Sequence, residues 1–315
     1  MLSAASVAVL LGGVCSAQSP GLTLWYQQPA PVWTEALPIG NGHLGAMVFG
    51  GANRGANNGD QQDARRNVDI RDGKQTRAQD EHLQLNEGTV WQGSRTDKLN
   101  PAALDGFRKA RTLLLQSKGI DGEKIAEAER IAGQTMISKP AGMPGYSTLG
   151  DLYVRSADDG KVSGYRRELN LETGIATVTY TAGDVQFRRE AFASAPDRVI
   201  VLHLNASKPA ALTFSVGMDR PSDFDVKVLN NRDLALTEGP THAEQIKFQA
   251  QVRVLARGGT ITREEKRIRV KGADEVTLLI AAATDFRNDV PSQQCTAVLD
   301  AAAKKQYKAL RATSV

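Results

Sequence analysis

Between Ile246 and Val254 apolar side chains (Ile246, Phe248, Ala250, Val252, Val254) alternate with polar ones (Lys247, Gln249, Gln251, Arg253). Successive side chains of a strand point to opposite faces, so this run predicts a strand with one buried face and one wet face. Antiparallel sheets show that pattern. From residue 173 onward further strand-like segments follow at short spacing. ATVTY (176–180) and VQFRREAF (185–192) flank a turn at Thr181-Ala182-Gly183-Asp184, which lets Val178 and Tyr180 face Val185 and Phe187. DRVIVLHLNAS and ALTFSVGM come next, RGGT (257–260) turns the chain toward ITREEKRIRVKG, and EVTLLIAAATDF reads as a strand covered on both faces.

Helical patterns are few. PAALDGFRKARTLLLQSKG places Pro101 at a first helical position, Leu104, Phe107, Ala110, Leu113 and Leu114 on one stripe, and Gly119 at its end. GEKIAEAERIAGQTM is a second amphipathic segment and PSQQCTAVLDAAAKKQYKALRA a third. Residues 53–81 are polar and poor in aromatics, as in a solvent-facing or disordered insertion. The expected fold class is therefore mainly β, antiparallel, with a few short helices.

LPIGNGHLGAMVFGG (37–51) carries Gly40, Gly42 and Gly45 at the G-x-G-x-x-G spacing of a dinucleotide loop. That fingerprint needs a buried strand before the first glycine, a helix after the third and an acidic residue closing a second strand. Here Pro38 breaks the approach, AMVFGG is a short strand, and Asp60 and Asp63 lie in the polar insertion. The glycines read as a tight loop joining strands.

The net charge of +4 is spread among interleaved Lys, Arg, Asp and Glu, which argues against a nucleic-acid partner, while 41% hydrophobic residues suffice for a core. The N-terminal LSAASVAVLLGGVCSAQS has signal-peptide length and apolarity, with Cys15 and Ala17 before a cleavage point at Gln18. Export to the periplasm or beyond the cell is the expectation, although no Lys or Arg precedes the apolar run. Gly-Gly-Val before Cys15 is a poor match to a lipidation motif, and the segment is too short for a membrane span. After cleavage of residues 1–17, Cys295 would be the sole cysteine, so no internal disulfide and no cysteine metal site are expected.

Five blocks taken in order, PAPVWTEALPIGNGHLGAMVFGG, HLQLNEGTVWQG (82–93), PGYSTLGDLYV (144–154), YRRELNLETGIATVTYTAGDVQFRREAFASAPDRVIVLHL (165–204) and VTLLIAAATDFRND (276–289), resemble the N-terminal domain of glycoside hydrolase family 95, known chiefly for α-L-fucosidases. The resemblance implies a large antiparallel super-β-sandwich over residues 22–290, followed at 291–315 by the start of a helical linker to an (α/α)6 barrel. It also implies inverting hydrolysis of terminal α-L-fucosides without a metal or other cofactor. The acid and the water-activating groups would belong to the barrel, so no catalytic residue is assigned here. The barrel, expected as the intramolecular partner, lies outside the chain, and fucosylated glycans would be met through the complete enzyme. Family members commonly carry LNEDTLW where this chain has LNEGTVW, with Gly88 and Val90, and they have a much shorter span than residues 52–81.

Single residues are read conservatively. Glu87 invites a catalytic role, but Asn86 and Glu87 are expected to satisfy loop backbone groups, with Trp91 packed into the sandwich. His43 is the one candidate substrate contact, at a pocket rim. Trp25, Trp33 and Trp91 could form a sugar-stacking platform, as in a stand-alone carbohydrate-binding module, but are expected in the core. Asp151 and Asp285 are expected to form hydrogen bonds at strand ends, and His43, His82, His203 and His242 are too scattered for a catalytic triad. Catalysis by the sandwich itself would need two carboxylates of separated pKa in one pocket.

Overall fold

The computed structural model describes residues 21–52, 80–92, 99–139, 145–157, 161–240, 246–287 and 289–314. The signal segment 1–17 with Cys15, His242 and the polar insertion up to residue 79 lie outside that set, and Glu81 already belongs to a strand.

In chain order the strands are β1 (Thr23–Tyr26), β2 (Leu37–Gly40), β3 (Leu44–Val48), β4 (Glu81–Glu87), β5 (Gly150–Ser156), β6 (Val162–Asn170), β7 (Ile175–Ala182) and β8 (Val185–Ser194). They continue with β9 (Val199–Ala206), β10 (Leu212–Asp219), β11 (Phe224–Val228), β12 (Asp233–Glu238), β13 (Phe248–Arg257), β14 (Thr260–Arg263), β15 (Arg267–Ala273) and β16 (Glu275–Thr284). Helices α1 (Ala103–Ser117) and α2 (Gly122–Thr135) form a hairpin between β4 and β5, while α3 (Pro291–Ala302) and α4 (Tyr307–Ala312) follow β16. The strands build two antiparallel sheets, nine strands in the order β1-β6-β7-β8-β9-β16-β13-β12-β11 and seven in the order β14-β15-β10-β5-β4-β3-β2. Their inner faces enclose one core that includes Leu83, Leu152, Val216, Val270, Ile200, Leu202, Val252 and Ile280. The mainly-β expectation is met.

Several local expectations change. Phe248, Ala250, Val252 and Val254 are buried as the alternation requires, but the opposite face is not wet: Gln249 and Gln251 are buried too. Helix α3 covers this face of the nine-stranded sheet, packing Cys295, Val298, Leu299 and Ala302 on Phe192, Val199, Val201, Leu279 and Ala281. The covered polar groups keep partners, Gln251 donating to Asp233 and the Cys295 thiol to the Gln249 carbonyl. In the β7–β8 hairpin Tyr180 does pair with Phe187, but Val178 stands opposite Arg189, because the turn is only Gly183-Asp184 and Ala182 pairs with Val185. Pro38 lies within β2, which tolerates it as the edge of its sheet. The C-terminal pattern splits into α3 and α4. On α1 the expected stripe turns outward at Leu104, Phe107 and Leu114; Gly106, Ala110 and Ser117 are the buried residues of the helix.

A buried ion pair joins the two sheets. Arg189 from β8 reaches Glu81 of β4 at 3.2 Å and also donates to Tyr180 and to the Gly51 carbonyl, while Glu81 accepts from the Gly50 N–H. Burial opposes the Arg189 charge, but Tyr180 and Glu81 outweigh it and hold the guanidinium pKa above its ordinary value. Glu81→Gln leaves a buried cation without its counter-charge. The expected loss is about 3 kcal/mol, at the low end for such pairs because Arg189 retains Tyr180 and Gly51, measured by urea unfolding.

Helix α4 is latched to the outer face of the same sheet. The Tyr307 ring stacks on His203 at 3.6 Å, its hydroxyl donates to Glu190, and Lys305 pairs with Asp197 at 2.6 Å. Burial, opposed by the charges of Glu275 and Glu190, leaves the His203 pKa below 6.5. Burial raises Glu190, but hydrogen bonds from Tyr307 and Arg188 win and hold it below 4.5. Both shifts make the unfolded chain the better proton binder, so stability is lost as pH falls, first below 6.5 through His203 and then below 4.5 through Glu190. The urea midpoint should therefore fall between about pH 7.5 and 5.5 in the wild type and fall less in His203→Gln, whose side chain does not titrate.

Candidate functional site

The turn between β2 and β3 is built to present His43. Asn41 Oδ1 accepts the N–H groups of His43 and Leu44 at 3.1 and 2.8 Å, and the Asn41 N–H bonds the Leu44 carbonyl at 3.0 Å. Gly42 takes a φ of 83°, a left-handed conformation that glycine adopts without a Cβ clash. Asn41 Nδ2 then donates to the Ser194 carbonyl at 2.9 Å, tying the turn to the opposite sheet. The glycine run is thus a β-hairpin, as expected, with Gly40 and Gly45 directly paired.

Strand β4 ends beside this turn, with Glu87 opposite Leu44 and the Gly88 N–H bonded to the His43 carbonyl at 3.1 Å. Glu87 is completely buried. Its Oε2 accepts both the N–H and the hydroxyl of Thr89 at 2.8 Å. To that extent the loop-satisfying role is met; Asn86 points to solvent. Oε1 lies 3.2 Å from Nδ1 of His43, whose side chain is 49% exposed. The two groups lie close but are not aligned as a hydrogen bond, and among the described residues Oε1 has no hydrogen-bond donor. An unsatisfied buried acceptor costs about 1–3 kcal/mol, more when charged.

Thr89 also shares a hydroxyl hydrogen bond with Thr284 at the end of β16, closing the two sheets at this end. Trp91 pairs by a single β-bridge with Tyr146, and the rings meet edge to face at 5.4 Å. The indole N–H donates to the Gly88 carbonyl, so Trp91 lies against the loop that carries His43. Burial raises the Tyr146 pKa and the Glu87 charge raises it further. Arg220 holds the segment that leads from Tyr146, donating to the Thr148 carbonyl at 3.0 Å and to the Ser147 hydroxyl at 2.7 Å. Below the site the Cys295 thiol is pushed up to about 12 by burial, with Glu87 again adding to the shift.

None of the tryptophans is in the core: Trp25, Trp33 and Trp91 are 52%, 51% and 36% exposed. Nor do the first two join this site. Trp25 lies under Arg166 on the edge strand β1, and Trp33 sits in a short 3-10 turn, Trp33–Glu35. Both aspartates form hydrogen bonds near strand ends as expected, Asp285 accepting the Lys247 N–H and Asp151 bonding the buried His82 ring at 2.8 Å. His203 belongs to the α4 latch. Thr89, Tyr146, Arg220 and Thr284 were not singled out from sequence, since nothing about spacing along the chain links them. Among the described residues no group of three or more His, Cys, Asp or Glu is placed to hold a metal ion.

The chain is similar in sequence to named proteins. The family model described as glycosyl hydrolase family 65, N-terminal domain, matches residues 24–56 and 75–289, and the chain belongs to that family. The interval between the two matched stretches falls in the polar insertion. The chain is 28% identical to "Alpha-L-fucosidase 2" of Arabidopsis thaliana, over 92% of this chain and 34% of that protein. Two proteins named "Probable alpha-fucosidase A" match as well. The one from Aspergillus niger is 25% identical over 93% of this chain and 36% of its own length. The one from Aspergillus oryzae is 26% identical over 88% and 35%. The chain thus spans about a third of the length of these relatives.

Gly88 is free to change. Its backbone is not left-handed, and an added Cβ would meet only the His43 carbonyl, at 3.9 Å. Gly88→Ala should leave stability level or raise it by roughly 0.4–1 kcal/mol. Gly42→Ala should lower it by about 1–2 kcal/mol. Urea unfolding of the two variants beside the wild type reads both.

Proposed function

We propose that this chain is the N-terminal β-sandwich of an exported glycoside hydrolase of family 95 type, acting on terminal α-L-fucosides with inversion. The observation that carries this reading is convergence. The Asn41-Gly42-His43 turn, Glu87 to Trp91, Tyr146 with Ser147, and Thr284 with Asp285 come from four separate blocks of the family-like sequence and meet at one end of the sandwich. The fucosidase names of the relatives point the same way. Inversion calls for an acid and a base roughly 6.5–9.5 Å apart around the scissile bond. Glu87, enclosed beneath Thr89 and His43, suits the support of a rim better than proton transfer to a leaving oxygen, so the hydrolytic carboxylates are assigned to the (α/α)6 barrel.

The helical hairpin supports the existence of a large partner surface. It leaves the sandwich at the site end, between Trp91 and Tyr146, and exposes Leu104, Phe107, Leu114, Leu115 and Ile120. Exposed apolar side chains gathered on one helical hairpin suit an interaction surface. The second reading, a carbohydrate-binding module without hydrolase activity, draws on the exposure of all three tryptophans.

Expression of the complete source gene followed by an assay with aryl α-L-fucoside and aryl α-L-galactoside separates the two. Release of fucose, first as the inverted β-anomer in proton NMR, is the expected result. A complete product that binds sugar but hydrolyses neither substrate overturns the hydrolase reading and leaves the binding module. The exported form should begin at Gln18 by N-terminal sequencing.

A further inference from the structure

We propose that His43, Trp91 and Tyr146 form a sugar subsite on the sandwich itself, taking one neutral pyranose unit, with Glu87 and Thr89 as the positioning residues beneath it. This deepens the glycosidase reading, but its test does not depend on hydrolysis.

The three side chains are each partly exposed, at the same end of the sandwich. The Gly88 N–H bonds the His43 carbonyl, and the Gly88 carbonyl receives the Trp91 indole N–H. A single glycine therefore ties the His43 backbone to the Trp91 indole, and a β-bridge pairs the Trp91 backbone with that of Tyr146. With its N–H already used, Trp91 has only its ring to offer, and the Tyr146 ring stands perpendicular to it at 5.4 Å. Aromatic faces bind the C–H surface of a pyranose by apolar contact, while the hydroxyls need directional partners. His43 supplies one: with Nδ1 turned to Glu87, its other ring nitrogen, Nε2, is left to accept a sugar hydroxyl.

The strongest sign of a ligand is Glu87. A fully buried carboxylate oxygen without a donor among the described residues adds nothing to packing, and position 87 lies opposite Leu44, where an apolar residue would serve the sheet. A hydroxyl bound at Nε2 would draw the imidazole into line, so that Nδ1–H donates to Oε1 and satisfies it. The scaffold is already rigid around this movement. Asn41 fixes one side of the loop to Ser194, Thr284 holds Thr89, and Arg220 holds Ser147 next to Tyr146.

The test is a titration of the chain, followed by amide and indole NMR, with L-fucose, methyl α-L-fucopyranoside and D-galactose. Saturable binding to at least one probe, with shifts at the Trp91 indole N–H and the His43 ring nitrogens, is expected. Trp91→Ala and His43→Ala should each weaken it about tenfold or more. Trp25→Ala and Trp33→Ala should leave it unchanged. Glu87→Gln, which keeps an acceptor for Thr89, should weaken binding several-fold and change the His43 ring nitrogen shifts, which a merely structural role would not do. Absence of binding to all three sugars, binding that survives both Trp91→Ala and His43→Ala, or binding lost in Trp25→Ala overturns the proposal. Hydrolysis by the complete gene product without binding here sinks only the subsite, and binding here without hydrolysis there sinks only the fucosidase reading.

Discussion

The fold depends on closing two apolar sheet faces on one another with no side chain left at the wrong depth. Stacked sheets lie about 10 Å apart, so each strand must send every second residue into a gap that only interlocking side chains can fill. Leu83, Leu152 and Val216 from one sheet meet Ile200, Val252 and Ile280 from the other in that gap. Where the gap opens at one end it turns polar, and Arg189 and Glu81 cross it as a pair. A cation and an anion hold there because each supplies the charge that burial denies the other.

At the opposite end the gap is closed by hydrogen bonds between the sheets, Asn41 to the Ser194 carbonyl and Thr89 to Thr284. These bonds fix the loops that carry His43 and Trp91, so the site inherits its rigidity from the sandwich. The outer face of the nine-stranded sheet is divided in a similar way. Its apolar part lies under α3 and α4, and the boundary row of Glu190 and His203 is capped by Tyr307. The stability of that cover falls with pH because its histidine is buried neutral and its carboxylate is held ionised.

Much of the fold was legible in the sequence because strand periodicity is local. The alternation from Ile246 to Val254, the two-sided apolar run of β16 and the tight glycine turn at Gly42 each follow from a few adjacent residues. The errors have one source. Gln249 and Gln251 read as wet because α3, which covers them, begins at Pro291, far along the chain. Leu104, Phe107 and Leu114 read only as one apolar stripe, because an amphipathic pattern says that a helix has an apolar face but not whether anything among the described residues covers it. The tryptophans were expected in the core; Trp91 instead lies partly exposed, with its single donor satisfied by a loop carbonyl.

The sequence by itself determined the class of fold, the turn that presents His43, and a family resemblance carried by five ordered blocks. Only the tertiary structure decided which residues stand together: that Glu87 is sealed beneath His43, that Thr284 and Tyr146 come to the same loop, and that His82 finds Asp151. Local geometry sets the direction in which each side chain leaves its strand. Its neighbours across the gap depend on register and sheet order, which no single segment encodes.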